Sequence, residues 1–402
     1  MKSGILIGLI MFSINYMGLA QKRSDEHYEK GFEAYQQQHY REAVDHFSRV
    51  IAMSPDHFDA YLYRAHSRVQ MDDYQGAFTD FRIYLGAFPE DIQAMFSYSV
   101  VCYQLKRYTE AEEGFLNVRD MPRGETTMVF FRAPASGSGV NKVLTAQGTD
   151  LSYLYNYLGL TYHGLKQYDK AIAYYDSALR NHPQDADVLV NKALSYSDKG
   201  NDKKAIEIIQ RALEFSTDHS LGKYNLAILK ERSGDFKETE TYFSESIKDN
   251  PQSPYGYRQR GYRRLMNNQF DKAVQDFTMA IKLKPEDAES WMNRAIAYDK
   301  MGKYEKAYED YSQTIELEPS YAKAYLNRGN LSLKLKQYTD AINDYNVAII
   351  YDHEYGVAFY QRGVAYHGLG QDAQACLDLE KAIALKTEAA VRAKEKICGK
   401  KE

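Results

Sequence analysis

The sequence predicts an all-α solenoid of about ten helix-turn-helix units. Three observations predict it. Residues of matching size recur every 34 positions, spacings of three and four set them on helical faces, and six of the nine prolines fall at one point of the period. The unit is clearest from Ala288 to Tyr321, taken here as positions 1 to 34. Trp291, Ala295 and Tyr298 (positions 4, 8 and 11) line one face of a first helix, and Ala307 and Tyr311 (positions 20 and 24) line a second. The small residues let the two helices approach, and the aromatic fills the space beside them. Gly302 suits the left-handed residue that ends the first helix, and Pro319 cannot continue the second.

In this register three units run from Ser24 to Glu125 and seven from residue 152 to residue 389. Position 8 is Gly31, Ala65, Gly159, Ala193, Ala227, Gly261, Ala295, Gly329 or Gly363, with Ser99 in the third unit. Position 20 is Ala in every unit but the sixth, which has Thr239. The prolines at position 32 are Pro55, Pro89, Pro183, Pro251, Pro285 and Pro319. The pattern resembles the tetratricopeptide repeat family, whose unit reads W-x2-L-G-x2-Y, then A-x3-F, then P. Only Trp291 matches the family's Trp, and Asp202 and Asp372 replace the aromatic of position 17, which predicts looser fifth and tenth units. The resemblance implies a right-handed superhelix that binds a protein or peptide partner.

Taken in order, residues 1–20 have a basic start at Lys2, an apolar core from Gly4 to Phe12, and small Gly18 and Ala20. They read as a secretory signal peptide cut after Ala20, hence an exported chain, periplasmic or extracellular. The alternative is an uncleaved anchor, for which the apolar core is short. The residue directly after the cut is Gln21 and not Cys, which argues against a lipoprotein. Repeats follow over residues 24–125. Residues 126–151 then break the register: Thr126 to Phe131 and Val140 to Thr145 read as two strands about a turn at Pro134 to Gly139, a β-hairpin insertion. Two roles fit it, a docking arm and a cover for the end of the third repeat. After the repeats of residues 152–389, residues 390–402 hold a capping helix and tail, since an open solenoid end must be covered.

Composition narrows the function. The net charge of −4 comes without a basic stripe, which argues against nucleic acid. No nucleophile elbow, phosphate loop, dinucleotide fingerprint or metal-ligand spacing occurs, and the repeats leave no room for a catalytic domain, so the reading is not an enzyme, with no cofactor and no metal. Positions 2, 6, 9 and 13 lie about 200° from the packed face of the first helix, and the family resemblance places them on the concave groove. Position 6 of the last six units is Asn191, Asn225, Gln259, Asn293, Asn327 and Gln361, a ladder of amides able to donate to and accept from an extended peptide. Tyr153, Tyr157, Tyr255, Tyr262 and Tyr360 join them on that face, and the charges between them show no dominant sign.

Position 7 is Arg only where position 23 is Asp: Arg64 with Asp80, Arg260 with Asp276, Arg294 with Asp310, Arg328 with Asp344 and Arg362 with Asp378. A guanidinium–carboxylate fork between the paired helices explains that covariation. Of the three cysteines, Cys102 falls on a core position, and Cys376 and Cys398 could bridge the last repeat to the cap in an oxidising compartment. The expected function is a protein-interaction scaffold holding an extended segment in its groove. The alternative is an assembly factor of a cell-envelope complex, working through the convex face and the 126–151 insertion.

Overall fold

The computed structural model describes residues 22–121, 128–132, 142–146 and 151–399. The expected signal peptide, most of the insertion and residues 400–402 lie outside the described residues. The first three helix pairs are α1 (22–36) with α2 (Tyr40–Met53), α3 (Phe58–Gln70) with α4 (Tyr74–Ala87), and α5 (Ile92–Gln104) with α6 (Tyr108–Asp120). Strands β1 (Met128–Arg132) and β2 (Lys142–Ala146) pair antiparallel, with Phe130 opposite Leu144. Then come α7 (Ser152–Gly164) with α8 (Tyr168–Ala178), α9 (Ala186–Asp198) with α10 (Asp202–Phe215), and α11 (Ser220–Arg232) followed by α12 (Thr239–Asp249). The remaining pairs are α13 (Pro254–Met266) with α14 (Phe270–Leu283), α15 (Ala288–Lys300) with α16 (Tyr304–Leu317), α17 (Ala322–Lys334) with α18 (Tyr338–Tyr351), and α19 (Gly356–Gly368) with α20 (Asp372–Ala384). A single helix, α21 (Glu388–Cys398), closes the series.

The chain divides into two compact units, Met1–Gly234 and Asp235–Glu402. The division falls inside the sixth repeat, the one with Thr239 at position 20. In the other described repeats the second helix begins at position 17; here α12 begins three residues late, at Thr239, and Phe236 is left 48% exposed.

Within each unit the core is made by the positions that define the period. Ala295, Ala307 and Tyr311 are 0–2% exposed, as are Ala65, Ala77 and Phe81 in an earlier repeat. The turn between paired helices is as regular. Position 15 has positive φ in all ten repeats, but only Gly200, Gly234, Gly302 and Gly370 are glycines; Gln38, Asp72, Lys106, Lys166, Asn268 and Lys336 adopt the same conformation at φ 58–62°. A side chain there crowds its own carbonyl, a strain of about 1–2 kcal/mol that glycine avoids at some cost in unfolded-state entropy. Lys336→Gly should therefore raise stability by about 0.5–1 kcal/mol in urea titration; an unchanged or lower midpoint would mean that the lysine side chain is held by something worth as much.

One expectation needs correction. The fifth and tenth repeats are not loosened by Asp202 and Asp372: Ser197 donates its hydroxyl to Asp202 (2.9 Å) and His367 donates Nδ1–H to Asp372 (2.6 Å). A polar bond back to the first helix takes the place of the aromatic ring. Repeat four packs on repeat three, with the Tyr157 ring 5.5 Å from those of Phe96 and Phe115, so repeat stacking continues across the break, and β1 of the insertion lies against α5.

At the C-terminus α21 packs on α20 with Ala390 its only fully buried residue, and Leu379, Ala382, Ile383 and Ile397 beside it. Cys376 and Cys398 form a disulfide between the two helices, while Cys102 is buried and free. So small an apolar footing makes the bridge important. Cys398→Ser should cost about 2–3 kcal/mol, confined to the last repeat and cap. Hydrogen exchange of the α21 amides reads this directly; unchanged protection would show that packing and the Lys394–Glu380 ion pair (2.9 Å) suffice.

Candidate functional site

The candidate binding residues lie on the first helix of each repeat, and the structure separates them by environment. In the first unit Asn191 donates to Asn156 of the preceding first helix (3.3 Å), and the Asn225 Nδ2 is sealed from solvent without a hydrogen-bond partner. Tyr157, at the same position of the fourth repeat, is 6% exposed and part of the aromatic core. Position 6 therefore faces the seam with the preceding first helix as well as the inner face. The six amides of the expected ladder thus differ in exposure.

In the second unit Asn293 is 8% exposed. Gln259 on α13, Asn327 on α17 and Gln361 on α19 are half-buried, and none makes a side-chain hydrogen bond among the described residues. Tyr255 and Tyr262, one turn to either side of Gln259, are 42% and 41% exposed. Tyr360, one residue before the amide, packs against the cluster of Leu379, Ala382 and Ala390 beneath the cap.

The five Arg–Asp pairs all form bidentate forks. Nε donates to one carboxylate oxygen and Nη2 to the other, at 2.9 and 2.7 Å for Arg64 on Asp80 and at 2.7 and 2.8 Å for Arg294 on Asp310. Arg260 on Asp276, Arg328 on Asp344 and Arg362 on Asp378 repeat it at 2.7–3.0 Å. The carboxylates are 1–9% exposed and the guanidinium side chains 13–18%. The Asp378 fork holds the Arg362 guanidinium above its ordinary pKa against the opposing effect of burial.

A third partner escaped the sequence reading. Each of these arginines also donates Nη1 to position 25 of the preceding repeat: Ser48, Ser244, Thr278, Ser312 and Asn346, at 2.6–3.1 Å. One side chain thus ties three helices, and the bond runs between repeats as well as within one. The signal was present in the sequence, because Ser, Thr or Asn stands sixteen residues before each of the five arginines. Asp80 and Asp276 accept a further bond from Arg68 (2.6 Å) and Arg264 (2.9 Å). The forks are internal to the helix stack, and their chemistry is positional. Among the described residues no group of three or more His, Cys, Asp or Glu could hold a metal ion, and no helix is long and apolar enough to cross a membrane.

Comparison with known proteins agrees with this architecture. Tetratricopeptide repeat family models match residues 150–218, 288–321, 322–349 and 357–388, and a model described as anaphase-promoting complex, cyclosome, subunit 3 matches residues 36–118. The chain is similar to the uncharacterized protein ycf37 of Guillardia theta, 34% identical over 84 residues, which are 21% of this chain and 47% of that protein. The chain thus spans about half the length of that curated relative. Among solved structures it is similar to the C-terminal part of a TPR repeat-containing protein from Cytophaga hutchinsonii, with 15% identity, TM-score 0.49, and coverage of 59% of this chain and 98% of that one. It is also similar to a tetratricopeptide repeat protein from Parabacteroides merdae, with 20% identity, TM-score 0.43, and coverage of 68% and 98%. With the 34-residue period, the paired helices and the matched stretches in accord, residues 150–218, 288–349 and 357–388 carry tetratricopeptide repeats, of a family that serves in general as protein-interaction scaffolds.

Proposed function

We propose that the second unit holds an extended segment of another protein along its first helices. The observation that carries this reading is the set of Gln259, Asn327 and Gln361, placed at the same turn of α13, α17 and α19 with their amides unspent on the chain itself. An amide side chain offers both a donor and an acceptor, which matches the alternating groups of a peptide backbone. Exposed Tyr255 and Tyr262 add apolar area with polar tips beside Gln259, a combination suited to a partner's side chains. The test is a crosslinking pull-down from the cell-envelope fraction, comparing the wild-type protein with a Gln259→Ala, Asn327→Ala, Gln361→Ala variant whose circular dichroism melt is unchanged. Capture by the wild type alone supports the reading; equal capture by both sinks it.

The chain is also proposed to be exported. The signal-like residues 1–20 and the Cys376–Cys398 disulfide both point to an oxidising compartment outside the cytosol. Mass spectrometry of the envelope-derived protein should find Gln21 as its first residue; a cytosolic protein retaining residues 1–20 would overturn this.

A second reading, assembly through the outer face, is favoured by Ile350 on α18 and Leu377 on α20, which are 64% and 68% exposed. Charged substitution at these two residues would then abolish capture while the triple amide variant retained it.

A further inference from the structure

The first repeat lacks the fork described above. His46 stands at position 23, where other repeats carry the accepting Asp, and His27 stands at position 4 of α1. Their Nδ1 atoms meet 3.0 Å apart between α1 and α2, with ring centroids 5.2 Å apart and the planes inclined by 41°. That spacing suits a metal ion. Two imidazole nitrogens at about 2.0–2.1 Å from one ion lie about 2.9 Å apart in a square-planar cis arrangement and about 3.3 Å apart in a tetrahedral one. The observed distance falls between the two, so rings already seated on two packed helices need to move only a few tenths of an ångström.

The surroundings fit as well. Glu42, one turn before His46, places Oε1 4.0 Å from His46 Nε2, the nitrogen that would not face the ion, an electrostatic contact longer than a hydrogen bond. A carboxylate that closes on the distal ring nitrogen fixes a ligand histidine's tautomer. The cations beside His27 are already engaged, Lys30 by Glu26 (2.7 Å) and Arg49 by Asp45 (2.8 Å). The His46 side chain is 16% exposed, so solvent can reach the pair and complete the coordination sphere.

We propose that His27 and His46 form a two-nitrogen chelate for a divalent late transition ion of the zinc or copper class, with Glu42 as the positioning residue for His46. In the neutral pair the ring that donates Nδ1–H has a bare Nε2; on binding that proton passes through solvent to the same ring's Nε2, so both rings stay neutral, both Nδ1 atoms bind the ion, and α1 is clamped to α2. The experiment is isothermal titration of the full exported chain, purified without a polyhistidine tag, with zinc chloride and separately with copper sulfate. One ion per chain should bind, at least about tenfold more weakly after His27→Ala or His46→Ala and about tenfold more weakly after Glu42→Gln. Circular dichroism must show each variant folded. Long-range proton–nitrogen NMR should place the ion on Nδ1 of both rings. An absence of binding to the wild type, or affinity and stoichiometry unchanged in both histidine variants, would show instead a simple hydrogen-bonded pair, and ligation through Nε2 would also overturn the proposal.

Discussion

Asp80→Ala should be the most damaging substitution among the fork residues, at about 3–5 kcal/mol. Its carboxylate is 1% exposed and accepts three charge-assisted bonds, two from Arg64 and one from Arg68. Removing it leaves the Arg64 guanidinium, 14% exposed, without a counter-charge, and Arg68, 22% exposed, with Asp73 alone at 3.4 Å. Asp310→Ala is the control, since Asp310 receives only the Arg294 fork. Its cost should be smaller, and the difference isolates the second arginine. Because a repeat stack can unfold in parts, both are best read by hydrogen exchange in α3–α4 and α15–α16 beside the urea midpoint. In the Arg64, Asp80 double-mutant cycle the double variant should cost less than the sum of the singles by at least about 1.5 kcal/mol. Additivity would mean that the fork contributes nothing beyond what its two residues do alone.

How much of this was legible in the sequence depends on what each residue's neighbour is. Arg294 and Asp310 sit in one repeat, so their covariation shows within a single unit and the fork follows from chemistry. Thr278, which completes the site, belongs to the unit before, and a reading that compares positions within a unit passes over it. The inner face was harder for the same reason. Helical periodicity places position 6 away from the packed partner helix, but it carries no information about the first helix of the adjacent repeat. That neighbour takes Asn191 into a hydrogen bond with Asn156, and Asn293 is buried as well, while Gln259, Asn327 and Gln361 stay partly open. The division after Gly234 was visible only as Thr239, a single departure at a position otherwise held by Ala. Thr239 is the first residue of α12 and its hydroxyl donates to the Asp235 carbonyl (3.2 Å), yet the period itself is unbroken there.

Position 8 shows the same limit at the scale of one carbon atom, and supplies the second large effect. Gly159→Val should cost about 3 kcal/mol. A Cβ at Gly159 would lie 2.5 Å from Cε1 of Tyr175, a ring that is fully buried in the core of the first unit and has nowhere to retreat. Gly363→Ala, at the same position of the tenth repeat, should change stability by less than about 1 kcal/mol. There the added carbon meets Leu379 Cγ and the Ala375 carbonyl at 3.2 Å, a tight fit that the gain in helix propensity offsets. The residue at position 24 does not by itself predict the outcome, because Ala295 is tolerated over Tyr311 where Gly159 is needed over Tyr175. What differs is how closely the two helices approach, and that distance is set by every contact along the pair. Thermal melts compared with the wild type test this, of Gly159→Val for the full cost and of Gly159→Ala and Gly363→Ala for its cause, because these last two add the same Cβ at both sites. If the two alanine variants lose stability equally, position 8 is governed by residue size alone; if only Gly159→Ala is costly, the local approach of the helices decides which small residue each repeat can carry.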